Sequence, residues 1–330
     1  MSRILKLSQE DLFQLGLFKD ISMTIDQVRR ALLYHNQDVY SSDKLSIVPD
    51  YNRKLNSLNC IGKSFASVKI VGANINNSHD GKPRSNSIIM IYDKDSLELL
   101  SIMNGTDISN LRTGACAAIV NNLLGYDKKY SVAIVGSGKI AEATILCLNE
   151  SSNENLEKII LYGRTQSKVD RILEWTSNLR VDVVGYNTID CIADANYVIA
   201  ATSAVGSDLF DYPLLKEDVV TLELGHGLGR NHIIRAINAK NVYCDSWPHI
   251  KARNSQMLPR LYNESDKDLR YFIENNLNSV ADLIFNNGSI KMNGEPYHFT
   301  FVGLPELDYE VATKFYTLAL KNNVGMNIKF

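Results

Sequence analysis

The sequence predicts an α/β protein in which an antiparallel α+β region is followed by a doubly wound parallel sheet. Three observations carry this. From about 44 to 103, short β-rich runs are separated by turn-rich stretches. From Tyr130 onward, apolar strand-length runs alternate with helical patterns, the signature of a parallel sheet covered on both faces. The first of those strands runs directly into a glycine-rich turn that opens a helix.

Taken in order, two helices open the chain. Ser8-Gln-Glu-Asp11 reads as an N-cap with acids in the first turn, and Thr24-Ile-Asp-Gln27 as a capping box ahead of Val28, Ala31 and Leu32. Strands are expected at Lys69–Val71, Ile88–Tyr92 and Leu99–Met103, with Asn76–Gly81 as a turn. Ile108–Leu124 reads as a helix, its Ala115, Ile119 and Leu123 near one face and Gly125 as its C-cap. The parallel-sheet strands are expected at Ser131–Val135, Lys158–Tyr162, Tyr197–Ala201, Val219–Leu224 and Val242–Cys244, with helices at Ala141–Asn149 and Ser167–Leu179. A last amphipathic helix, Asp308–Asn323, has Asp308 as its cap and Val311, Ala312, Phe315 and Ala319 facing inward.

Composition narrows the function classes. A chain of 330 residues with 45% hydrophobic and 22% charged residues suits two globular domains. A net charge of -2 without any Lys/Arg-rich block argues against nucleic acid or an anionic membrane surface as partner. No apolar run approaches the roughly 18 residues of a membrane span, and the N-terminal MSRILKLSQED lacks the layout of a secretory signal. Five cysteines without a CxxC pair give neither a disulfide framework nor a zinc site, so the expected compartment is the cytoplasm. His35, His79, His232, His249 and His298 show no metal-ligand spacing and read as structural or exposed; no metal is expected.

The strongest motif is the strand Ser131–Val135 followed by Gly136-Ser137-Gly138-Lys139-Ile140-Ala141, a G-x-G-x-x-A fingerprint of the Rossmann type. Gly136 permits the tight turn, Gly138 lets the backbone approach a pyrophosphate, and Ala141 lets the helix lie close to its strand. The free N–H groups of the helix N-terminus then face the anion. The next strand ends at Tyr162-Gly163-Arg164-Thr165, without the carboxylate that would take a ribose 2′-hydroxyl. Arg164 with Lys168 suits a 2′-phosphate, so NADP(H) is favoured over NAD(H); the alternative is that Arg164 stacks on adenine or lies in solvent.

Upstream, Lys69 in a strand and Arg112 at a helix start could converge on one carboxylate, the arginine as a planar fork and the lysine as a movable cation or acid–base group. Spacing alone leaves such a lysine solvated more often than catalytic.

Lys69, the Arg112-Thr113-Gly-Ala115 helix start and the Gly136–Ala141 fingerprint stand in the order found in the ornithine cyclodeaminase/μ-crystallin family, which the chain resembles along nearly its whole length. Phe301-Val-Gly303-Leu-Pro-Glu-Leu-Asp308 is similar to that family's lead into its last helix. Within it, Lys69–Gly72, Arg84–Ile89, the Ile108-Ser109 to Arg112-Thr113 run, Cys244-Asp-Ser-Trp247 and the ending Asn323–Phe330 resemble the dehydrogenases of 2,3-diaminopropionate biosynthesis.

The resemblance implies a homodimer whose substrate and dimerisation domain (1–113 with 303–330) has a Rossmann domain (114–302) inserted into it. It implies interconversion of an amino acid or secondary amine with its imine, using NAD(H) or NADP(H). The narrower expectation is oxidation of N-(2-amino-2-carboxyethyl)-glutamate; a ketimine or imino-acid reductase, ornithine cyclodeaminase proper, an alanine-dehydrogenase-like activity and a non-catalytic NADP-binding crystallin are the alternatives. By position, Lys69 and Arg112 bind the substrate carboxylate beside the nicotinamide, Thr113 and the glycine loop hold coenzyme phosphates, and Thr202 and Ser203 lie near the nicotinamide ribose. Lys44 stands where many members carry a further carboxylate-binding arginine, and loses the planar fork. His226, in Glu223-Leu-Gly225-His226-Gly227-Leu-Gly229, stands where cyclodeaminases carry a catalytic aspartate, which makes ornithine cyclisation doubtful. His226 could be a general acid/base or could only hydrogen-bond backbone, and Trp247 could line the pocket or the core.

Overall fold

A computed structural model describes residues 3–34, 39–50, 52–204, 208–252 and 256–329. The chain forms two compact units, Met1–Arg112 with Gly303–Phe330, and Thr113–Val302.

The first unit begins with β1 (Arg3–Leu7), α1 (Gln9–Gln14), α2 (Ile21–Tyr34), β2 (Tyr40–Ser41), β3 (Leu45–Asp50), β4 (Arg53–Ile61), β5 (Phe65–Asn74), β6 (Ser85–Asp93) and β7 (Leu99–Asn104). It ends its first pass in α3 (Thr106–Leu123), within which the division between units falls. The second unit contains β8 (Tyr130–Val135), α4 (Lys139–Glu150), β9 (Leu156–Tyr162), α5 (Gln166–Thr176), β10 (Asp182–Tyr186), β11 (Tyr197–Ala200) and β12 (Val220–Glu223). It continues with α6 (Arg230–Asn238), β13 (Val242–Cys244), α7 (Trp247–Lys251), α8 (Met257–Glu264), α9 (Lys267–Asn275), β14 (Leu277–Ser279), α10 (Val280–Phe285) and β15 (Tyr297–Thr300). The chain then returns to the first unit with α11 (Pro305–Asn322) and β16 (Met326–Lys329).

Ser8 caps α1 as its sequence dictates: its hydroxyl accepts from Asp11 N at 3.2 Å while the Asp11 carboxylate accepts from Ser8 N at 2.8 Å. α2 departs from expectation by starting a turn earlier. Asp20 takes the Met23 N–H at 3.1 Å, and Thr24 lies inside the helix, fully buried, instead of capping it. Gly125 does not cap α3 either, because its N–H is taken by the Ile290 carbonyl at 2.9 Å. α11 begins at Leu304, with Pro305 at its first position, so Asp308 is a residue of the first turns and not the cap.

The sheet of the first unit runs β16-β1-β7-β6-β5-β4-β2, with β3 on β4. Its pairs are antiparallel except β1 with β7. α11 packs on β4, β5, β6 and α2. Lys69 lies opposite Leu58 on β4 and Ile89 on β6, so it points to the same buried face as those two side chains.

The sheet of the second unit runs β10-β9-β8-β11-β12-β15-β13-β14, every pair parallel, the doubly wound arrangement the strand–helix alternation predicts. β8, β11, β12 and β15 are buried along their whole length, as strands covered on both faces must be. From β8 the chain winds outward through β9 to β10, then returns to β11 on the other side of β8. The carboxyl ends of β8 and β11 therefore flank the switch point where such sheets leave a crevice.

Candidate functional site

In the first unit the candidate site is a buried charge cluster. Lys69 Nζ lies 2.6 Å from Asp308 Oδ2, and both side chains are only 3% exposed. The Ser109 Oγ accepts from the same ammonium at 2.9 Å. Arg112 Nε approaches Asp308 Oδ1 at 3.2 Å. A lysine between Leu58 and Ile89 cannot stay charged without such a partner, and an isolated aspartate in the first turns of α11 would be equally costly. Burial pushes the Asp308 carboxyl upward, but the Arg112 and Lys69 charges outweigh it and hold it below the ordinary carboxylate value. Lys69, Arg112 and Asp308 thus meet in one buried cluster of low dielectric.

Asp308 is the member sequence reading assigned to a cap. The signal that places it correctly is Pro305, whose preference for the first helical position puts Asp308 inside the helix. Gly303 (φ +75°) completes the cluster, since a Cβ there would meet Arg112 Nη1 at 2.7 Å. Lys44 lies half-buried in the link before β3.

In the second unit the loops after β8, β11 and β12 approach one another closely. Gly136 (φ +134°) leaves only 2.7 Å between a hypothetical Cβ and the Ala201 carbonyl, so this turn admits no side chain. At Gly138, the N-cap of α4, a Cβ would meet nothing within 4 Å. No side chain caps α4, leaving the N-terminal N–H groups of this twelve-residue helix available to an anion. Ser137 and Ile140 are half-buried, Lys139 is exposed, and its ammonium pairs with Glu142 at 2.7 Å. Ala141 is fully buried, as close helix–strand packing needs. Thr113 is buried in α3, one residue from Gly114, where a Cβ would strike the Ala143 backbone at 2.6 Å.

At the end of β9, Gly163 serves packing more directly than ligand access: a Cβ there would collide with Ser137 Oγ and Val169 Cγ2 at 2.7 Å. Arg164, Thr165 and Lys168 are exposed, Thr165 as the N-cap of α5.

His226 is half-buried and bridges to Thr202 through the main chain: its N–H donates to Thr202 O at 3.0 Å, and its carbonyl accepts from Thr202 Oγ1 at 2.7 Å. The glycines around it have packing reasons, Gly225 against Thr202 O and Gly229 against Asp211. Ser203 is exposed, and Trp247 is half-buried with its ring edge-on to Tyr262 at 5.0 Å.

Beneath this loop lies a polar core that sequence reading missed. Glu223 is 1% exposed and accepts from Met257 N at 3.2 Å through both oxygens. Burial raises its carboxyl to about 8 despite those N–H groups. His298 is wedged between Thr221 Oγ1 at 2.8 Å and Thr300 Oγ1 at 2.6 Å, 3.7 Å from Glu223. Burial lowers His298, and lowers His232 to about 4, so both rings are neutral. Gln256 Nε2 ties the Glu223 and Phe301 carbonyls together at 3.0 and 2.8 Å. Among the described residues no group of His, Cys, Asp and Glu could hold a metal ion, and no helix is long and apolar enough to cross a membrane. His35 and the side chain of His79 lie outside the described residues.

Comparison with known proteins gives consistent results. The model of the ornithine cyclodeaminase/mu-crystallin family matches residues 21–224. The chain is similar to the Delta(1)-pyrroline-2-carboxylate reductase of Bacillus cereus, 23% identical over 325 residues, covering 93% of this chain and 90% of that one. It shares its fold with Thermococcus litoralis Delta(1)-pyrroline-2-carboxylate reductase in complex with NADH and L-proline (TM-score 0.85, 21% identity, 98% and 100% of the two chains). It also shares it with an archaeal alanine dehydrogenase dimer with bound NAD (TM-score 0.83, 16% identity, 100% of both chains).

Proposed function

The chain belongs to the ornithine cyclodeaminase/mu-crystallin family, and from that premise we propose that it moves hydride between a nicotinamide coenzyme and the C–N carbon of an amino acid or its imine. The observation that carries this reading is the convergence of Lys69 and Arg112 on one carboxylate, that of Asp308, a pairing of cations suited to holding an anionic amino-acid head.

In this reading Lys69 and Arg112 grip the substrate carboxylate and Lys44 supplies a further cation. Fixing the carboxylate orients the C=N carbon, and positioning of this kind contributes several kcal/mol to a hydride transfer. Lys69 or His226 delivers the proton to nitrogen as the carbon is reduced, and removes it in the reverse direction.

Thr113 and Gly136-Ser137-Gly138-Lys139-Ile140 would hold coenzyme phosphates, Thr202 and Ser203 the nicotinamide ribose, and Arg164 with Thr165 a 2′-phosphate. The positive φ of Gly136, the open space above Gly138 and the uncapped α4 fit that role. The bound coenzyme supplies or accepts the hydride. Exposed Arg164 beside Thr165, with no carboxylate at that strand end, supports NADP(H) over NAD(H).

A small cyclic imino acid such as Delta(1)-pyrroline-2-carboxylate is the first substrate to test, because the relative so named aligns along 93% of the chain. A second reading, oxidation of N-(2-amino-2-carboxyethyl)-glutamate, is favoured by the Arg84–Ile89 and Cys244–Trp247 stretches. His226 in place of a carboxylate speaks against ornithine cyclisation. The strand β3 bears Leu45, Ile47 and Val48 at 62%, 68% and 61% exposure, which supports association of two copies through this region.

The test is coenzyme absorbance with purified protein, NADPH or NADH, and a set of imino acids, with the reverse direction run on the amines. Reduction of Delta(1)-pyrroline-2-carboxylate is expected. No coenzyme turnover with any imino acid or amine in either direction would overturn the reading.

A further inference from the structure

We propose that Asp308 is a positioning residue: it fixes the ammonium of Lys69, on which turnover depends, and tempers the positive charge that a carboxylate meets at Lys69 and Arg112. This rests on the carboxylate-binding role given to Lys69 and Arg112 above.

Asp308 spans both cations, one oxygen to each, at 2.6 Å to Lys69 Nζ and 3.2 Å to Arg112 Nε. It projects from the rigid start of α11, anchored by Pro305, and is 2% exposed. Lys69 is therefore held from two sides, by Asp308 and by Ser109 Oγ at 2.9 Å, and cannot swing as a lysine on an open strand would.

The charge of Asp308 acts on affinity as well. Beside Lys69 and Arg112 it places a negative charge where charge is poorly screened, so it opposes an incoming carboxylate. The side chain thus acts on turnover through Lys69 and on affinity through charge, and these two effects have opposite signs when it is neutralised.

Asp308→Asn, Lys69→Met and the double variant are compared with wild type. The readouts are kcat with the turned-over imino acid, calorimetric Kd for pyrrole-2-carboxylate in the presence of NADPH, and melting temperature. In Asp308→Asn, kcat is expected to fall at least about 30-fold while the Kd stays equal or tightens, a split that general loosening of the fold would not produce. The double variant is expected within about threefold of Lys69→Met in kcat, because Asp308 acts through that lysine.

A kcat for Asp308→Asn within about threefold of wild type, a Kd weakened about tenfold, or losses that multiply in the double variant would each overturn the proposal. If Asp308→Asn does not fold, the double variant, which removes both members of the buried pair, decides alone. A further tenfold loss beyond Lys69→Met, or about tenfold weaker probe binding than in Lys69→Met, then overturns it, and equality supports it. If wild type turns over no substrate, the functional reading has failed separately, and Asp308 is judged by probe binding: equal or tighter in Asp308→Asn supports it, about tenfold weaker overturns it.

Discussion

Gly303 lies against the guanidinium of Arg112, so closely that a Cβ would stand 2.7 Å from Nη1 and 3.1 Å from Nη2. The guanidinium is held at its other edge by Asp308, which leaves it little room to retreat. With φ +75°, Gly303 also occupies a backbone region that costs other residues about 1 kcal/mol or more.

Gly303→Ala should therefore damage the site more than the fold. A melting temperature lowered by a few degrees is expected, with KM for the carboxylate substrate raised about tenfold as the guanidinium is displaced. Unchanged KM would show that Arg112 does not hold the substrate.

The two glycines of the turn after β8 should behave differently from one another. Gly136→Ala collides with the Ala201 carbonyl at a positive φ and should destabilise the protein by about 2 kcal/mol. Gly138→Ala meets no protein atom within 4 Å, so its melting temperature should match wild type while the stabilisation by added NADPH shrinks. Thermal shift with and without coenzyme checks both. Equal NADPH stabilisation in Gly138→Ala and wild type would place the pyrophosphate elsewhere.

Arg164→Ala should raise KM for NADPH about tenfold or more and leave that for NADH nearly unchanged, since only a 2′-phosphate uses the guanidinium charge. Steady-state kinetics with both coenzymes checks this; equal losses would point to adenine stacking.

Glu223 gives a pH signature. Its folded value of about 8 lies above its ordinary 4.5, so the folded protein binds a proton that the unfolded chain has lost between those values. Its contribution to stability is full below about pH 4.5 and is lost as pH rises from there through about 8. Glu223→Gln keeps a neutral side chain of the same shape. The melting temperature of the variant relative to wild type should climb from pH 5 to about pH 8 and level off above it. A constant difference would mean that the buried carboxyl is ionised throughout.

Ile47→Asp with Val48→Asp addresses association. Both are more than 60% exposed, as is Leu45, and every residue of β3 is exposed, so the strand leaves its apolar side chains uncovered. Sedimentation should show a dimer for wild type and a monomer for the double variant. A wild-type monomer at micromolar concentration would remove this strand from consideration.

Much of the second unit was legible because its strands are continuously apolar and one carries the glycine fingerprint; β8, β9, β11, β12 and β13 fall within two residues of their expected bounds. β15 escaped notice because His298 and Thr300 sit in a four-residue strand, and it is the hydrogen bonds of His298 to Thr300 and to Thr221 that make them compatible with burial. β4 reads as polar, with Asn56 and Ser57 in its middle, and is strand because β3 and β5 pair with it on both sides. Lys69 and Arg112 were visible as candidates. The third charge was hidden, since periodicity does not reveal which residue of a distant helix will meet a strand lysine.

That helix arrives late. Asp308 follows Lys69 by 239 positions and Arg112 by 196, and the edge strand β16 follows it. On the ribosome, the first unit therefore waits with its β1 edge unpaired and two cations lacking their counter-ion while the whole inserted unit is synthesised. A nascent chain arrested anywhere in that interval has no assembled anion receptor, so competence waits until α11 has been made.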